Sequence, residues 1–254
     1  MATKKKVVNI TKDDKSTEKF GKDKHGKIIK LEDKGEPKGR ATSKRIIACI
    51  LWALGIFFEV IAILRVTDVI NWIPKLSDLA FVIICLVLDC IAVVIGSQFW
   101  KKANHIDPAS EKNKTKFWIQ NNLGSIISVI AFLPIIVFVL TDKDMGKKEK
   151  GVISIVAVAL MLIAGIASYD FNPVSSEQLE RAQKEVEAVS ESGLVYWAPN
   201  SKKYHVDKDC PAFSRSETVY EGTVAQAFEH NLTDPCRRCI PALEDDHDHE
   251  NEEE

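Results

Sequence analysis

One histidine and three cysteines near the carboxy terminus, His205, Cys210, Cys236 and Cys239, are the residues of this chain whose types and spacing can do chemistry. Imidazole nitrogen and thiolate sulfur are preferred zinc donors. A Cys-x-x-Cys pair supplies two of them from one tight turn, while a second segment supplies the others. Four protein donors close a tetrahedral sphere, whereas a catalytic zinc keeps one position for water. The set therefore predicts zinc as a structural cofactor. The soluble segments hold no grouping of serine, histidine and acid, no phosphate loop and no paired catalytic carboxylates, so no catalytic residue is assigned and the chain reads as a non-enzyme.

The elements that must position these donors are short. Val195 to Trp197 and Lys203 to Val206 read as two small strands separated by the turn residues Pro199, Asn200 and Ser201. Thr223 and Gln226 have capping-box spacing before a helix running to about His230, and Pro235 presents the closing Cys-x-x-Cys. A module over 194–243 with such small strands has little core, which makes a metal staple physically useful. Ahead of it, Ser175 and Gln178 repeat the capping-box spacing. Leu179, Ala182, Val186 and Val189 then recur at helical intervals, which predicts an amphipathic linker helix over 174–192. Its apolar face fits a membrane surface, a second copy or the metal module equally well.

Tyr204-His205, Cys210 and Pro235-Cys236-Arg237-Arg238-Cys239 resemble the metal-binding domain of the Ada-type DNA alkylation-repair proteins. That family holds zinc with four cysteines, the last two in a Pro-Cys-x-Arg-Cys sequence, with a short helix and a glycine or asparagine turn between the pairs. Ala225 to Phe228 and Asn231 match the helix and turn. The resemblance implies a fold and a zinc site over about a fifth of the chain. His205 stands where the family has its methyl-accepting cysteine, and a zinc-bound imidazole offers no thiolate nucleophile, so methyl transfer does not carry over. Residues 194–243 balance six acidic against six basic side chains, which argues against nucleic acid as a partner. As a whole the chain resembles uncharacterised multi-span membrane proteins of Gram-positive bacteria, a resemblance that implies no activity.

The remainder is organised by charge and hydropathy. Residues 1–45 carry fifteen Lys or Arg against seven Asp or Glu, residues 170–254 carry eight against twenty, and 46–169 holds only twenty charges. A bilayer core needs roughly 20 consecutive apolar residues per spanning helix, because every backbone polar group must be satisfied within the segment. Four stretches qualify: about 46–64, 79–99, 117–140 and 152–169. The expected fold class is a mainly α membrane protein, with four transmembrane helices in a domain over 46–169 plus a small α+β zinc module. The basic tail 1–45 and the acidic tail 244–254 are expected to be disordered, since neither can bury enough apolar surface to offset its ordering entropy.

Basic residues crowd the amino-terminal tail and the second break, with Lys101, Lys102, Lys112, Lys114 and Lys116, whereas the first break has only Arg65 and Lys75. The positive-inside rule then predicts a multi-pass protein of the cell membrane with both termini in the cytoplasm, where three thiols stay reduced and available to metal. Two carboxyls fall inside spans: Glu59 about two thirds of the way along the first, and Asp89 near the centre of the second. At that depth a carboxylate turns inward, pairs, or takes up a proton. The sequence thus predicts a protein of the lipid bilayer that presents a cytoplasmic zinc module for interaction with a protein partner or itself, or for sensing. The alternative is a small channel, transporter or membrane-active effector using Glu59 and Asp89.

Overall fold

The computed structural model describes residues 6–9, 20–22, 28–30, 36–70, 77–143, 145–213, 216 and 218–240, with side chains from residue 38 onward. They divide into two compact units, one of Arg40–Asn104 with Glu111–Pro173, the other of Met1–Gly39, His105–Ser110 and Val174–Glu254.

The first unit is built on four helices, α1 (Glu36–Val66), α2 (Asp78–Ile106), α3 (Lys114–Thr141) and α4 (Lys147–Ser168), each long and apolar enough to cross a membrane. They carry the four apolar stretches, and α1 and α2 run on past them into charged residues such as Arg40, Lys44, Lys101 and Lys102. Lys and Arg are good helix formers, so nothing ends the helix where the apolar run ends. The unit is apolar outside: Ile155, Ile166 and Ile50 are 72%, 64% and 63% exposed. Its interior holds polar groups, with Glu59, Asp89, Asn104, Asn121 and Ser128 all at most 3% exposed.

Those interior groups pin helices together. Pro134 lacks an N–H, and its ring crowds the carbonyl one turn back, which disturbs the α3 ladder. The next amide, Ile135 N–H, donates to Glu59 Oε1 at 3.1 Å. Thus the one proline inside a span and the one carboxyl of α1's apolar stretch answer each other. Near the ends of α2 and α3, Asn104 Nδ2 donates to Gln120 O at 3.0 Å and Asn121 Oδ1 at 3.2 Å, while Trp100 Nε1 donates to Gln120 O at 2.7 Å. Lys101 Nζ caps the carboxy-terminal end of α4 by donating to Ala167 O at 2.9 Å, where a cation also suits the helix dipole. Arg65 Nε, buried at the end of α1, meets Asp78 Oδ1 at 2.7 Å across the first break.

The second unit contains three short strands early in the chain, β1 (Lys6–Asn9), β2 (Phe20–Lys22) and β3 (Ile28–Lys30). After the fourth span come α5 (Ser176–Val189), β4 (Leu194–Trp197), β5 (Lys203–Tyr204), a 3-10 turn at Pro211–Phe213, β6 (Thr218–Thr223), α6 (Val224–Glu229) and β7 (Asp234–Pro235). β6 is the centre of a three-stranded sheet, antiparallel to β4 and parallel to β1, in register Tyr196↔Glu221 and Val7↔Val219. These strands, together with a first helix beginning at Glu36, correct the expectation of a wholly disordered tail over 1–45. Val7 and Val8 suit a strand, and the edge of β6 offers backbone groups that a further strand satisfies. The rest of that tail and the acidic segment 244–254 lie outside the described residues.

α5 resolves the choice its sequence leaves open. Ser175 caps it by accepting from Gln178 N at 3.0 Å, and its buried Ala182 and Val186 join the module's core of Val195, Trp197, Tyr204, Ala227, Phe228 and Ile240. The segment His105–Ser110 belongs to this same unit. His105 Nδ1 donates to Phe228 O at 3.2 Å, since a carbonyl can only accept, and Ser176 N donates to Ala109 O at 3.1 Å.

Candidate metal centre

The four donors arrive from two arms of the small module. The first arm is β5 and the turn after it. His205 follows β5 and is held by a pair of backbone bonds to β4, Tyr196 N to His205 O at 2.6 Å and His205 N to Tyr196 O at 2.8 Å. Asp207 then turns the chain, its side chain accepting from Asp209 N at 2.9 Å and its carbonyl from Cys210 N at 3.3 Å. Such a local Asx turn is what an aspartate in this setting favours. It brings Cys210 back toward His205.

The second arm is β7 and the Cys-x-x-Cys turn. β7 lies parallel to β5 in register Tyr204↔Pro235, and Cys236 N donates to Tyr204 O at 2.8 Å, which puts Cys236 beside the residue preceding His205. The amides of Cys239 and Ile240 both reach Cys236 O at 2.9 Å, closing the turn. α6 sets the approach of this arm. Its capping box joins Gln226 N to Thr223 Oγ1 at 3.2 Å and Thr223 N to Gln226 Oε1 at 2.9 Å, and Asn231 ends it with φ of 66°. Asparagine is one of the few residues that adopts this left-handed conformation at low cost.

One ligand atom from each of His205, Cys210, Cys236 and Cys239 lies within 4.8 Å of all the others, and Nδ1 of His205 faces Cys239 Sγ at 3.7 Å. Tetrahedral zinc with Zn–S bonds of about 2.3 Å sets sulfurs roughly 3.8 Å apart, so the donors stand near a closed first shell. His205, Cys210 and Cys236 are buried, Cys239 partly so, and Ala198 and Val219 pack beside the cysteines. The group can hold a metal ion.

Burial and neighbouring groups shift the donors in different directions. Burial lowers the pKa of His205, against the pull of Asp207, leaving the neutral imidazole that ligates metal. The Cys239 thiol is pushed up to about 12, first by burial and then by Cys210 and Cys236 beside it. Burial pushes Cys236 the same way, but the amides of Arg238 and Cys239 and the neighbouring thiols outweigh it, and its pKa falls below the ordinary thiol value. Amide N–H groups directed at a sulfur stabilise a thiolate, and a dication relieves the crowding that holds a neighbouring thiol protonated.

No protein-family model matches the chain, and no curated protein and no solved structure is similar to it.

All four ligands named from the sequence come together. Glu59 and Asp89 lie apart from them, inside the helical unit. Asp89 is wholly buried, neither of its carboxyl oxygens has a hydrogen-bond partner among the described residues, and it lies within electrostatic reach of Glu59. Gly55 makes room for it, since a Cβ there would come within 2.5 Å of Asp89 Oδ1.

Two supports of the metal centre escape a reading of the sequence. β6 is hidden because the buried positions Val219 and Gly222 do not alternate, and glycine is a poor strand former. The close approach explains that glycine: a Cβ at position 222 would lie 2.7 Å from both Trp197 Cη2 and Gln226 Oε1. His105 is the second. Its signal is a helix stop, His105-Ile106-Asp107-Pro108, which marks a boundary but not the carbonyl it meets.

Proposed function

We propose that this chain is an integral membrane protein, both termini in the cytoplasm, that presents a structural zinc module to a protein partner, to a second copy, or to a cellular signal. The observation that carries the reading is the buried cluster of one imidazole and three thiols set beside the module's small apolar core. Three soft sulfurs and one nitrogen select zinc over calcium or magnesium, and four protein donors leave no position for a reacting water. The module is therefore a binding or sensing element, not an enzyme. Nucleic acid does not suit its balanced surface charge.

Support for the orientation comes from two directions. Lysines concentrate in the tail and the second break. Residues 105–110 of that break belong to the same compact unit as the metal module, which supports one side of the membrane for both. On that face a reducing cytoplasm keeps Cys210, Cys236 and Cys239 as thiols.

The reading is tested on the full chain in detergent. Metal analysis should find one zinc per chain, absent from a Cys236→Ser, Cys239→Ser double variant. A metal-free chain whose 194–240 amides stay protected against exchange would defeat it. Labelling of Cys210 by an impermeant thiol reagent from outside intact cells would defeat the orientation.

A second reading rests on Asp89, whose buried carboxyl, with no hydrogen-bond partner among the described residues, is costly unless a proton or cation joins it. In it the helices form a small channel, transporter or membrane-active effector working through Glu59 and Asp89. Ion flux into liposomes should then fall in Glu59→Gln and Asp89→Asn variants, and a chain that gives no flux at all removes this alternative.

A further inference from the structure

The helical unit also carries a cavity of about 720 Å3 whose lining includes Arg45, Trp100, Asn113, Lys116, Ile119 and Leu123. These residues stand where apolar stretches meet charged breaks: Arg45 just before the first stretch, Trp100 just after the second, Lys116 just before the third. If the four helices span a bilayer, all three lie on the membrane face of the amino-terminal tail and the second break. That is headgroup depth, where tryptophan and basic residues concentrate.

The cavity has two chemically different ends. At one, Arg45 stacks over the Trp100 ring at 5.8 Å, and Trp100 is held by its bond to Gln120 O. A stacked guanidinium keeps its five N–H donors in one plane, a geometry suited to phosphate oxygens. Lys116 adds a second cation. Asn113 spends its side chain on Lys116 N at 3.0 Å, so recognition of an anion there falls to the two cations and not to the helix end. At the other end lie Ile119, 44% exposed, and Leu123, one turn deeper along α3. A ligand that fits is an anion at one end and a hydrocarbon chain at the other.

We infer that this cavity is a binding site for one anionic phospholipid of the cytoplasmic leaflet, its phosphate between Arg45 and Lys116 and an acyl chain along Ile119 and Leu123. Basic pockets between spanning helices on the cytoplasmic side recognise anionic headgroups in this way, each cation near the surface favouring them severalfold. The site does not involve the metal donors, so its failure and the failure of the zinc reading are separate results.

Native mass spectrometry of the full chain, titrated with phosphatidylglycerol and separately with phosphatidylcholine, tests it. The wild-type chain should retain one phosphatidylglycerol with at least roughly tenfold preference, and Arg45→Gln with Lys116→Gln should lower that retention about tenfold or more. Ile119→Trp, which keeps both cations but fills the cavity, should lower it as well. Lys143→Gln with Lys147→Gln, in the third break, should leave it unchanged. Equal retention of the two lipids, or undiminished retention in both cavity variants, overturns the site. Displacement of the lipid by excess inorganic phosphate overturns its lipid character. If the double variant does not fold by circular dichroism, Ile119→Trp decides alone.

Discussion

The two units of this chain solve the burial problem in opposite senses. In the helical unit isoleucines such as Ile50, Ile155 and Ile166 face outward, while Glu59, Asp89, Asn104 and Ser128 are buried among apolar residues such as Leu86, Phe132 and Ile135; in the second unit Val195, Tyr204 and Phe228 are buried, and lysines and acids such as Lys202, Lys203, Asp207 and Asp209 face outward. A membrane removes the hydrophobic reason to hide apolar side chains and penalises exposed polar ones, so packing of small residues and interhelical hydrogen bonds hold the helices. Water restores the ordinary order, and a unit of this size buries only a small core, beside which four donors that could hold a metal ion are gathered. Solvent decides which residues face outward, and size decides whether a cross-link is needed.

The sharpest way to break the contrast is to withhold the zinc proposed for the four donors. Structural zinc contributes about 10–16 kcal/mol to folding of small domains. Chelation should therefore abolish hydrogen-exchange protection across 194–240 and leave helix content in the spans, read by circular dichroism, nearly intact. Loss of both together would mean that the units are not energetically distinct.

Next in size is a charge on the outward face. Leu162 is 56% exposed near the middle of the fourth apolar stretch, and Leu162→Lys should cost insertion about 3 kcal/mol, seen as chain lost from the membrane fraction. In water such an exposed substitution would be nearly neutral. Retention of the variant in the membrane at wild-type level would contradict the lipid-facing assignment.

Smaller effects come from the polar interior. Glu59→Leu leaves the Ile135 amide without its acceptor and should destabilise the helical unit by about 1–3 kcal/mol, whereas Glu59→Gln keeps an acceptor and should cost less than half as much. Equal losses in detergent melting would show that the bond to Ile135 contributes nothing. Smallest is the module's cap: Thr223→Ala removes the bond to Gln226 N and should cost about 1 kcal/mol, read as weaker zinc retention against a competing chelator.

What the sequence by itself determined was local or chemical. Apolar length defined the four helices, donor type and Cys-x-x-Cys spacing singled out the four candidate donors, and Thr223 with Gln226 defined a helix start, because each is carried by residue type or by neighbours in the chain. Partner choice over long separations was left to the tertiary structure. It placed β6 at the centre of the sheet through a glycine whose packing against Trp197 no pattern shows, and it docked α5 on the metal module where its amphipathic face also fitted a membrane or a second copy. It also joined Glu59 to Ile135, matching a carboxyl on one helix to an amide beside Pro134 on another. A pattern reports that a face or a polar group must be satisfied; only the folded chain selects what satisfies it.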